Sequence, residues 1–338
     1  MVRLIHKAKY KFSKIVRERF LNFCFDCFGY VSSKIRKERG FKTIVYHGVS
    51  QNEASKFNSR FVTAQQFEEH LILIKKLYNP ISFEDYRLKK FSHDKLNVLL
   101  TFDDGLLNNY TNALPLLQKH QVPAMFFISA LSVVGQEFLF NDLLDVFSVL
   151  GPQQIEIKGQ QFSKQKKGIH FRYLNANNCS LAEHFHSLNA NERNGVIDEL
   201  FKIVPPLQFN EHKEYMELMS KNEIKQLAIS RGISIGSHGI THVDLSLIDK
   251  VELKNELEKS KSFLEETTSI TCSALAFPYG NFNSNDIELF KKSGYDFLFG
   301  SEKINVKEDR NFIIERFTIN PYVSAINQMY YIAKGNYN

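Results

Sequence analysis

A short apolar run ends in two carboxylates and a glycine in the stretch Asn97-Val98-Leu99-Leu100-Thr101-Phe102-Asp103-Asp104-Gly105. The run predicts a buried strand, and the acids follow at its carboxyl end. Successive residues of a strand point to opposite sides, so Asp103 and Asp104 are expected to have different neighbours. One carboxylate could bind a metal ion while the other accepts a proton. Paired acids also occur in solvated turns and at helix N-termini, and the dipeptide alone leaves both interpretations open.

From residue 41 onward, short apolar runs alternate with helical stretches, which is typical of an α/β fold with βα units around a parallel sheet. Seven strands are predicted, at Thr43–Tyr46, Val98–Phe102, Ala124–Ile128, Ile233–Gly236, Ala274–Phe277, Phe297–Phe299 and Ile313–Ile319. Helices are predicted in a segment that begins at Thr63, and at Asn108–His120, Lys221–Ser230 and Val251–Glu266. Thr63 and Gln66 have the spacing of a capping box, which predicts where the first of these helices begins.

The stretch from about residue 138 to 218 interrupts this alternation. A hairpin is predicted from Gln154–Ile157 and His170–Tyr173, around the polar residues Lys158–Lys167, and a helix is predicted from Asn191 to Ile203. We interpret residues 138–218 as an insertion within one domain of residues 41–322, which a C-terminal tail of residues 323–338 follows.

The positive charge of the chain is concentrated at its N-terminus. Residues 1–40 contain 11 Lys and Arg against 3 Asp and Glu, whereas the remaining residues contain 32 against 34. Apolar residues recur with helical periodicity between Leu4 and Phe20, which predicts a basic amphipathic helix. Such a helix could contact an anionic membrane surface through residues 1–21, or it could be a solvated helix packed on the domain.

Other sequence features bear on location and partners. No uninterrupted apolar segment of a secretory signal follows the basic residues, and the four cysteines have no disulfide-framework spacing. We therefore expect a cytoplasmic protein, peripheral on the inner face of the membrane if the helix binds there. No nucleic-acid-binding motif is present, so nucleic acid is not an expected partner.

Two histidines follow the fourth predicted strand, in Ser237-His238-Gly239-Ile240-Thr241-His242. Side chains four residues apart can converge on one ion if the segment is helical or tightly turned. Two imidazoles and one carboxylate form a catalytic metal set that leaves coordination positions open. Two surface histidines on a helix would also explain the spacing, but the paired aspartates at another strand end favour a metal site.

Two more strand ends and the last predicted strand carry candidate residues. The turn Ala276-Phe277-Pro278-Tyr279-Gly280 can direct a main-chain N–H at an oxyanion. His47 stands at the end of the first strand and could act as an acid near neutral pH. Arg316 in the last strand could pair with a carboxylate and lower its pKa. Each of these residues, taken singly, is also compatible with a structural role.

The ordered motifs TFDDG, SHGITH and FPYG resemble those of the polysaccharide deacetylases, also called the NodB-homology or carbohydrate esterase family 4 domain. The similarity covers roughly residues 41–322. The motif Tyr46-His47-Gly48-Val49 resembles the subgroup related to poly-N-acetylglucosamine deacetylases. The resemblance implies a distorted (β/α)7 barrel, in agreement with the seven predicted strands, with the insertion and the basic N-terminal helix added to it.

The same resemblance implies roles for the site residues. Asp104, His238 and His242 correspond to the ligands of a divalent metal ion, usually zinc. Asp103 corresponds to the general base, and Tyr279 to the residue whose backbone N–H contributes to the oxyanion hole. The implied reaction is metal-assisted hydrolysis of an N-acetyl group on a sugar.

The chain departs from the family pattern at three places. The family supplies its general acid from a late histidine, but no histidine follows His242, so His47 is the candidate acid. The third motif usually opens with an arginine that orients the base. The corresponding run Ser273–Ala276 has none, so Arg316 is the candidate substitute. Gly239 stands where serine or threonine is common, which removes a possible hydroxyl contact.

The predicted function is therefore removal of the N-acetyl group from a sugar of a glycan or a lipid-linked glycan precursor. A lipid-linked substrate would suit an enzyme that the basic arm places at the membrane. Two alternatives remain open: a carbohydrate-binding relative without turnover, and a hydrolase of small-molecule amides or imides on the same fold.

Overall fold

The computed structural model of the protein describes residues 35, 37–51, 57–167, 170–301 and 313–337. The basic arm predicted for residues 1–40 lies almost wholly outside these residues, and so does the predicted membrane contact of residues 1–21. Within the described ranges, no helix combines the length and the apolar character needed to cross a membrane.

A largely parallel sheet forms the centre of the fold, as the alternating sequence pattern predicts. The strands are β1 (Phe41–Tyr46), β2 (Val49–Ser50), β3 (Val62–Thr63), β4 (Asn79–Pro80), β5 (Asn97–Phe102), β6 (Ala124–Ile128), β7 (Gln154–Ile157), β8 (Gln160–Lys167), β9 (His170–Leu174), β10 (Ile233–Ser237), β11 (Ala274–Ala276), β12 (Phe297–Phe299), β13 (Ile313–Ile314) and β14 (Arg316–Thr318). The nine-stranded main sheet has the order β13-β12-β11-β10-β6-β5-β1-β14, with β4 paired to β5. The first six predicted strands are all present in it.

The seventh predicted strand, Ile313–Ile319, divides into two short strands. β13 pairs with β12 and β14 pairs with β1, both in parallel, and only Glu315 separates them. The two ends of the sheet order are therefore consecutive in the chain, so the sheet must curve until its edges meet. This geometry agrees with the distorted barrel that the sequence predicts.

Helices connect successive strands and cover the outside of the sheet. They are α1 (Ala64–Leu77), α2 (Phe83–Arg87), α3 (Leu114–His120), α4 (Phe140–Leu150), α5 (Leu181–His184), α6 (Ala190–Ile203), α7 (Lys221–Ala228), α8 (Lys250–Thr268), α9 (Ile287–Lys292) and α10 (Ala325–Lys334). Thr63 and Gln66 form the predicted capping box at the start of α1. The predicted helix Asn108–His120 is present as a π-helical turn, Asn109–Ala113, that continues into α3.

The two faces of the central strands are buried in different layers. All six residues of β5 are buried, as expected when both faces of a parallel sheet are covered. Leu100 and Phe102 pack with the helices in the main core, whereas Leu99 belongs to a smaller cluster with Phe127 and Phe299. Side chains alternate between the two faces of a strand, so Leu99, Thr101 and Asp103 share one face. Asp103 therefore lies on the side of the smaller, inner cluster.

The insertion forms a compact unit with its own apolar core. β7, β8 and β9 make a three-stranded antiparallel sheet, and this sheet packs with α4 and α6 around buried residues such as Phe147. The prediction of a two-stranded hairpin was wrong, because most of its expected loop, Gln160–Lys167, is the central strand β8. The predicted helix Asn191–Ile203 corresponds to α6, which begins one residue earlier.

The segment 323–338, separated from the barrel as a tail in the sequence analysis, contains the helix α10. Met329 and Ile332 of this helix are buried in the main core. Gln66 of α1 donates a hydrogen bond to the carbonyl of Pro321, at 3.1 Å, just before this segment. The end of the described chain thus packs against the first helix of the barrel.

Candidate active site

The candidate residues meet at the carboxyl ends of the parallel strands. A cavity of about 210 Å³ opens there. Its lining includes all seven residues that the sequence analysis selected, which are His47, Asp103, Asp104, His238, His242, Tyr279 and Arg316. Parallel strands place their carboxyl ends at one edge of a sheet, which explains how residues so far apart in the sequence reach one cavity.

The turn after β5 separates the two aspartates. The Asp103 N–H still donates to the carbonyl of Tyr46, at 3.0 Å, and so continues the pairing of β5 with β1. Asp104 then adopts a left-handed conformation with φ of 78°, and Gly105 follows with φ of 84°. This conformation is rare for a residue other than glycine and often marks a functional turn. Both carboxylates are buried, Asp103 at 5% exposure and Asp104 at 1%.

Asp104, His238 and His242 form a buried cluster. Their candidate ligand atoms all lie within 4.8 Å of one another. Asp104 Oδ1 is 3.2 Å from His242 Nε2 and 3.5 Å from His238 Nε2. His238 Nδ1 is 2.8 Å from the carbonyl oxygen of Ala276, to which it donates a hydrogen bond. This bond directs the lone pair of His238 Nε2 toward Asp104.

The donor set of this cluster fits a divalent cation. Asp104 Oδ1 is buried and has no hydrogen-bond partner among the described residues, although two imidazole nitrogens face it. Burial lowers the pKa of His242, which favours a neutral ring. Burial alone would raise the pKa of Asp104, but the Arg60 cation holds it well below its usual value. One carboxylate and two imidazoles whose Nε2 atoms face it are typical zinc ligands.

Asp103 is held by a bidentate ion pair. Arg316 Nη1 and Nη2 donate to its two carboxylate oxygens at 2.6 and 2.9 Å, while Arg316 Nε donates to the carbonyl of Gly300 at 3.1 Å. Burial alone would raise the pKa of Asp103, but the charge and hydrogen bonds of Arg316 hold it below its usual value. Asp103 is therefore an anion at neutral pH. Its Oδ2 lies 4.0 Å from His238 Nε2, at the edge of the candidate metal cluster.

The segment between the two histidines is held by Glu256 of α8. One carboxylate oxygen of Glu256 accepts the N–H groups of Ile240 and Thr241 at 2.7 and 3.1 Å, and the other accepts the Thr241 hydroxyl at 2.6 Å. Glu256 was not among the residues predicted from the sequence. The available signal was its place on the apolar face of α8, between the buried residues Leu253 and Leu257.

Arg60 is a second site residue that was not predicted from the sequence. Its Nη1 donates to Asp104 Oδ2 at 3.2 Å, and its Nη2 forms a close ion pair with Asp142 of α4. Asp142 also accepts a hydrogen bond from Asn58, at 2.7 Å. Burial raises the pKa of Asp142 to about 7, and Arg60 opposes this rise. Asp142 of the inserted helix α4 thus positions the Arg60 guanidinium, which donates to Asp104 Oδ2.

Tyr279 and His47 border the cavity in different ways. Tyr279 lies in a tight turn with φ of 60° and ψ of 0°, and its hydroxyl accepts a hydrogen bond from Asn141 at 2.9 Å. Its backbone N–H remains the predicted oxyanion donor. Burial lowers the pKa of His47 to about 4, although the Asp104 charge opposes this effect. His47 is therefore neutral at pH 7 in the free protein.

Comparisons with known proteins agree with this arrangement. The family profile described as "Polysaccharide deacetylase" matches residues 91–157 and 171–298, more than half of the chain. The poly-β-1,6-N-acetyl-D-glucosamine N-deacetylase of Staphylococcus aureus strain MRSA252 is 23% identical over 291 residues, which are 85% of this chain and 76% of that protein.

Solved structures show the same fold at low sequence identity. The Streptococcus pyogenes deacetylase PplD, in complex with acetate, is 16% identical, with a TM-score of 0.54 over 86% of this chain and 97% of that one. IcaB from Ammonifex degensii is also 16% identical, with a TM-score of 0.53 over 88% of this chain and 97% of that one.

Proposed function

The chain belongs to the polysaccharide deacetylase family, and we propose that it uses a zinc ion to remove the N-acetyl group from an amino sugar of a glycan. The observation that carries the proposal is the buried cluster of Asp104, His238 and His242 directly beside the Arg316-bound carboxylate of Asp103. A metal site next to a buried anionic base is the arrangement that hydrolysis of an unreactive amide requires.

The chain's own residues have separable tasks in this reaction. Zinc at Asp104, His238 and His242 would supply Lewis acidity toward the acetyl carbonyl and the attacking water. Asp103 accepts the proton of that water, because the Arg316 pair keeps its carboxylate ionised. The Tyr279 N–H donates to the oxygen on which negative charge develops.

The sugar amine needs a proton before it can leave, and we assign its delivery to His47. Because burial keeps His47 neutral in the free protein, it must take up a proton within each turnover before it donates one to the leaving nitrogen. His47 and Asp103 line the same cavity, so both can face one substrate.

The substrate class is supported by the relatives. The Staphylococcus aureus relative is named for deacetylation of poly-β-1,6-N-acetyl-D-glucosamine. We therefore propose an N-acetylglucosamine-type glycan as the substrate, either free or carried on a lipid.

The test is an acetate-release assay on the zinc-loaded protein with N-acetylglucosamine oligomers and with lipid-linked N-acetylhexosamines. We expect release by the wild type and none by Asp103→Asn, with zinc stoichiometry unchanged in the variant. Hydrolysis of small cyclic imides or simple amides, with acetate released from no sugar, would contradict the proposed substrate class. Sugar binding without any acetate release would identify a carbohydrate-binding relative instead.

A further inference from the structure

A buried arginine of the insertion contacts the backbone of the candidate metal site. Arg193 of α6 is 3% exposed, and its Nη1 donates to the carbonyl of His242 at 3.2 Å and to that of Thr241 at 3.5 Å. Its Nη2 donates to the carbonyl of His186 at 3.1 Å. His186 lies between α5 and α6. One guanidinium therefore joins the inserted unit to the second histidine of the metal cluster.

The backbone conformation of His242 requires support of this kind. Its φ is 52°, in the left-handed region, which is unfavourable for a residue other than glycine and persists only where the surroundings hold it. Glu256 holds the residues before His242, but its hydrogen bonds end at Thr241. Arg193 holds the carbonyl of His242 itself. The position of Arg193 therefore bears directly on the orientation of the His242 ring.

The imidazole of His186 extends the contact to the oxyanion turn. Its Nε2 lies 3.2 Å from Asp244 Oδ2, and this nitrogen carries the proton because a carboxylate can only accept a hydrogen bond. The His186 ring packs edge-on against Tyr279 at a centroid distance of 4.6 Å, and the Tyr279 ring lies 5.0 Å from that of His242. Asn281, just after the turn, donates to the same Asp244 oxygen at 2.7 Å. The insertion thus contacts both the metal cluster and the oxyanion turn.

We propose that Arg193 is a positioning residue of the active site, through which the insertion holds His242 in the orientation that binds the metal ion. The inference rests on the proposed function. Asn141 and Asp142 of α4 also contact residues of the cavity, so two inserted helices support the site. Arg193 is not among the residues that line the active-site cavity, so it acts through His242 and not on the substrate.

The test compares the zinc affinities of the wild type, Arg193→Met and Arg193→Lys by competition with a chromophoric chelator. Methionine fills much of the same volume but donates no hydrogen bond, so we expect its zinc affinity to be at least tenfold lower. Lysine can reach one of the carbonyls, so Arg193→Lys should have an intermediate affinity. Arg231→Met, the same change at an exposed position two residues before β10, is the matched control and should keep the wild-type affinity.

A second measurement separates positioning from stability. The visible absorption of Co²⁺ bound in place of zinc depends on the coordination geometry, so Arg193→Met should change the spectrum of the cobalt-saturated protein and Arg231→Met should not. A folded Arg193→Met protein with wild-type zinc affinity and cobalt spectrum would overturn the proposal, even if it unfolds at a lower urea concentration. If Arg193→Met does not fold, wild-type affinity and spectrum in Arg193→Lys would overturn it instead.

Acetate release distinguishes this inference from the proposed function. At saturating zinc, Arg193→Met should lower kcat about tenfold and leave KM nearly unchanged, because a displaced metal ligand weakens interactions made in the transition state. Unchanged kcat together with an unchanged cobalt spectrum would overturn the positioning role. If the wild type releases acetate from no sugar, the proposed function fails, and the zinc and cobalt measurements still decide the role of Arg193.

Discussion

Replacing Glu256 by alanine removes the group that holds the segment between His238 and His242. Glu256 accepts three hydrogen bonds from this segment, two from backbone N–H groups and one from the Thr241 hydroxyl. It is 3% exposed, so water cannot readily replace it in the folded protein. The expected result is a less stable protein whose two histidines no longer converge.

The magnitude follows from the three contacts. A hydrogen bond to a charged group contributes roughly 1.5–3 kcal/mol, and the contributions of neighbouring bonds do not add fully. We therefore expect Glu256→Ala to lower the free energy of unfolding by about 3–5 kcal/mol. Glu256→Gln keeps a carbonyl oxygen for the two N–H groups and can donate its amide to the Thr241 hydroxyl, so it should cost only about 1 kcal/mol.

The affinity for zinc should also be lower in Glu256→Ala than in Glu256→Gln. Residues that orient metal ligands typically change affinity about 10–100-fold when they are removed. Zinc competition with a chromophoric chelator should show this loss for Glu256→Ala and a much smaller one for Glu256→Gln. Glu258→Ala, on the same helix but 55% exposed at its side chain, is the control and should change neither quantity.

Urea unfolding of the metal-free proteins separates stability from metal binding. If Glu256→Ala unfolds at the same urea concentration as Glu256→Gln, the three hydrogen bonds do not stabilise the segment as inferred. If it is destabilised but binds zinc with wild-type affinity, then the His238–Ala276 bond and the surrounding packing position the histidines without Glu256.

Three further predictions concern the ion pair, the acid and the inserted carboxylate. Arg316→Met leaves the buried Asp103 anion unpaired, so it should lower the free energy of unfolding by about 3–5 kcal/mol. Arg316→Lys should retain part of the ion pair and therefore part of the stability. Equal urea midpoints for the two variants would contradict this expectation. His47→Gln should lower kcat about 100-fold or more with unchanged zinc stoichiometry, and normal kcat would assign the acid elsewhere. Burial raises the pKa of Asp145 to about 6, so the unfolded chain loses this proton at a lower pH than the folded protein does. Wild-type stability should therefore fall relative to Asp145→Asn between about pH 4 and pH 6 and level off above pH 6, with a total difference of about 1–2 kcal/mol after discounting for partial exposure. Parallel unfolding curves of the two proteins at pH 4 and pH 7 would refute the pKa shift.

The strands and the positions of the motif residues were predictable because their signals are local. An apolar run bounded by turn residues identifies a strand without knowledge of its partners, and all six undivided predicted strands lie in the main sheet. Once the strands are parallel, their carboxyl ends must share one edge. Arg316 was selected as a cation on the last strand that could replace the arginine missing from the third family motif, and it pairs with Asp103 although 213 residues separate the two.

A strand made mostly of polar residues was harder to predict from the sequence. The segment Gln160–Lys167 has no alternation of apolar and polar residues, and among the side chains that the structure describes at positions 160–166 only that of Phe162 is buried. It forms β8 because its backbone pairs with β7 on one side and β9 on the other. Hydrogen bonds between main-chain groups do not depend on side-chain type, so the sequence pattern predicted a loop there.

The sequence by itself determined the class of fold, the strand ends and the residue types that converge there, because hydrophobic periodicity and turn chemistry act over a few residues. Only the tertiary structure decided which other groups support them. Arg60 reaches Asp104 across 44 residues and Asp142 across 82, and Glu256 reaches Thr241 from a separate helix. Such contacts depend on how the insertion and the helices pack around the barrel. The sequence around a charged residue does not identify the partner with which it pairs when it is buried.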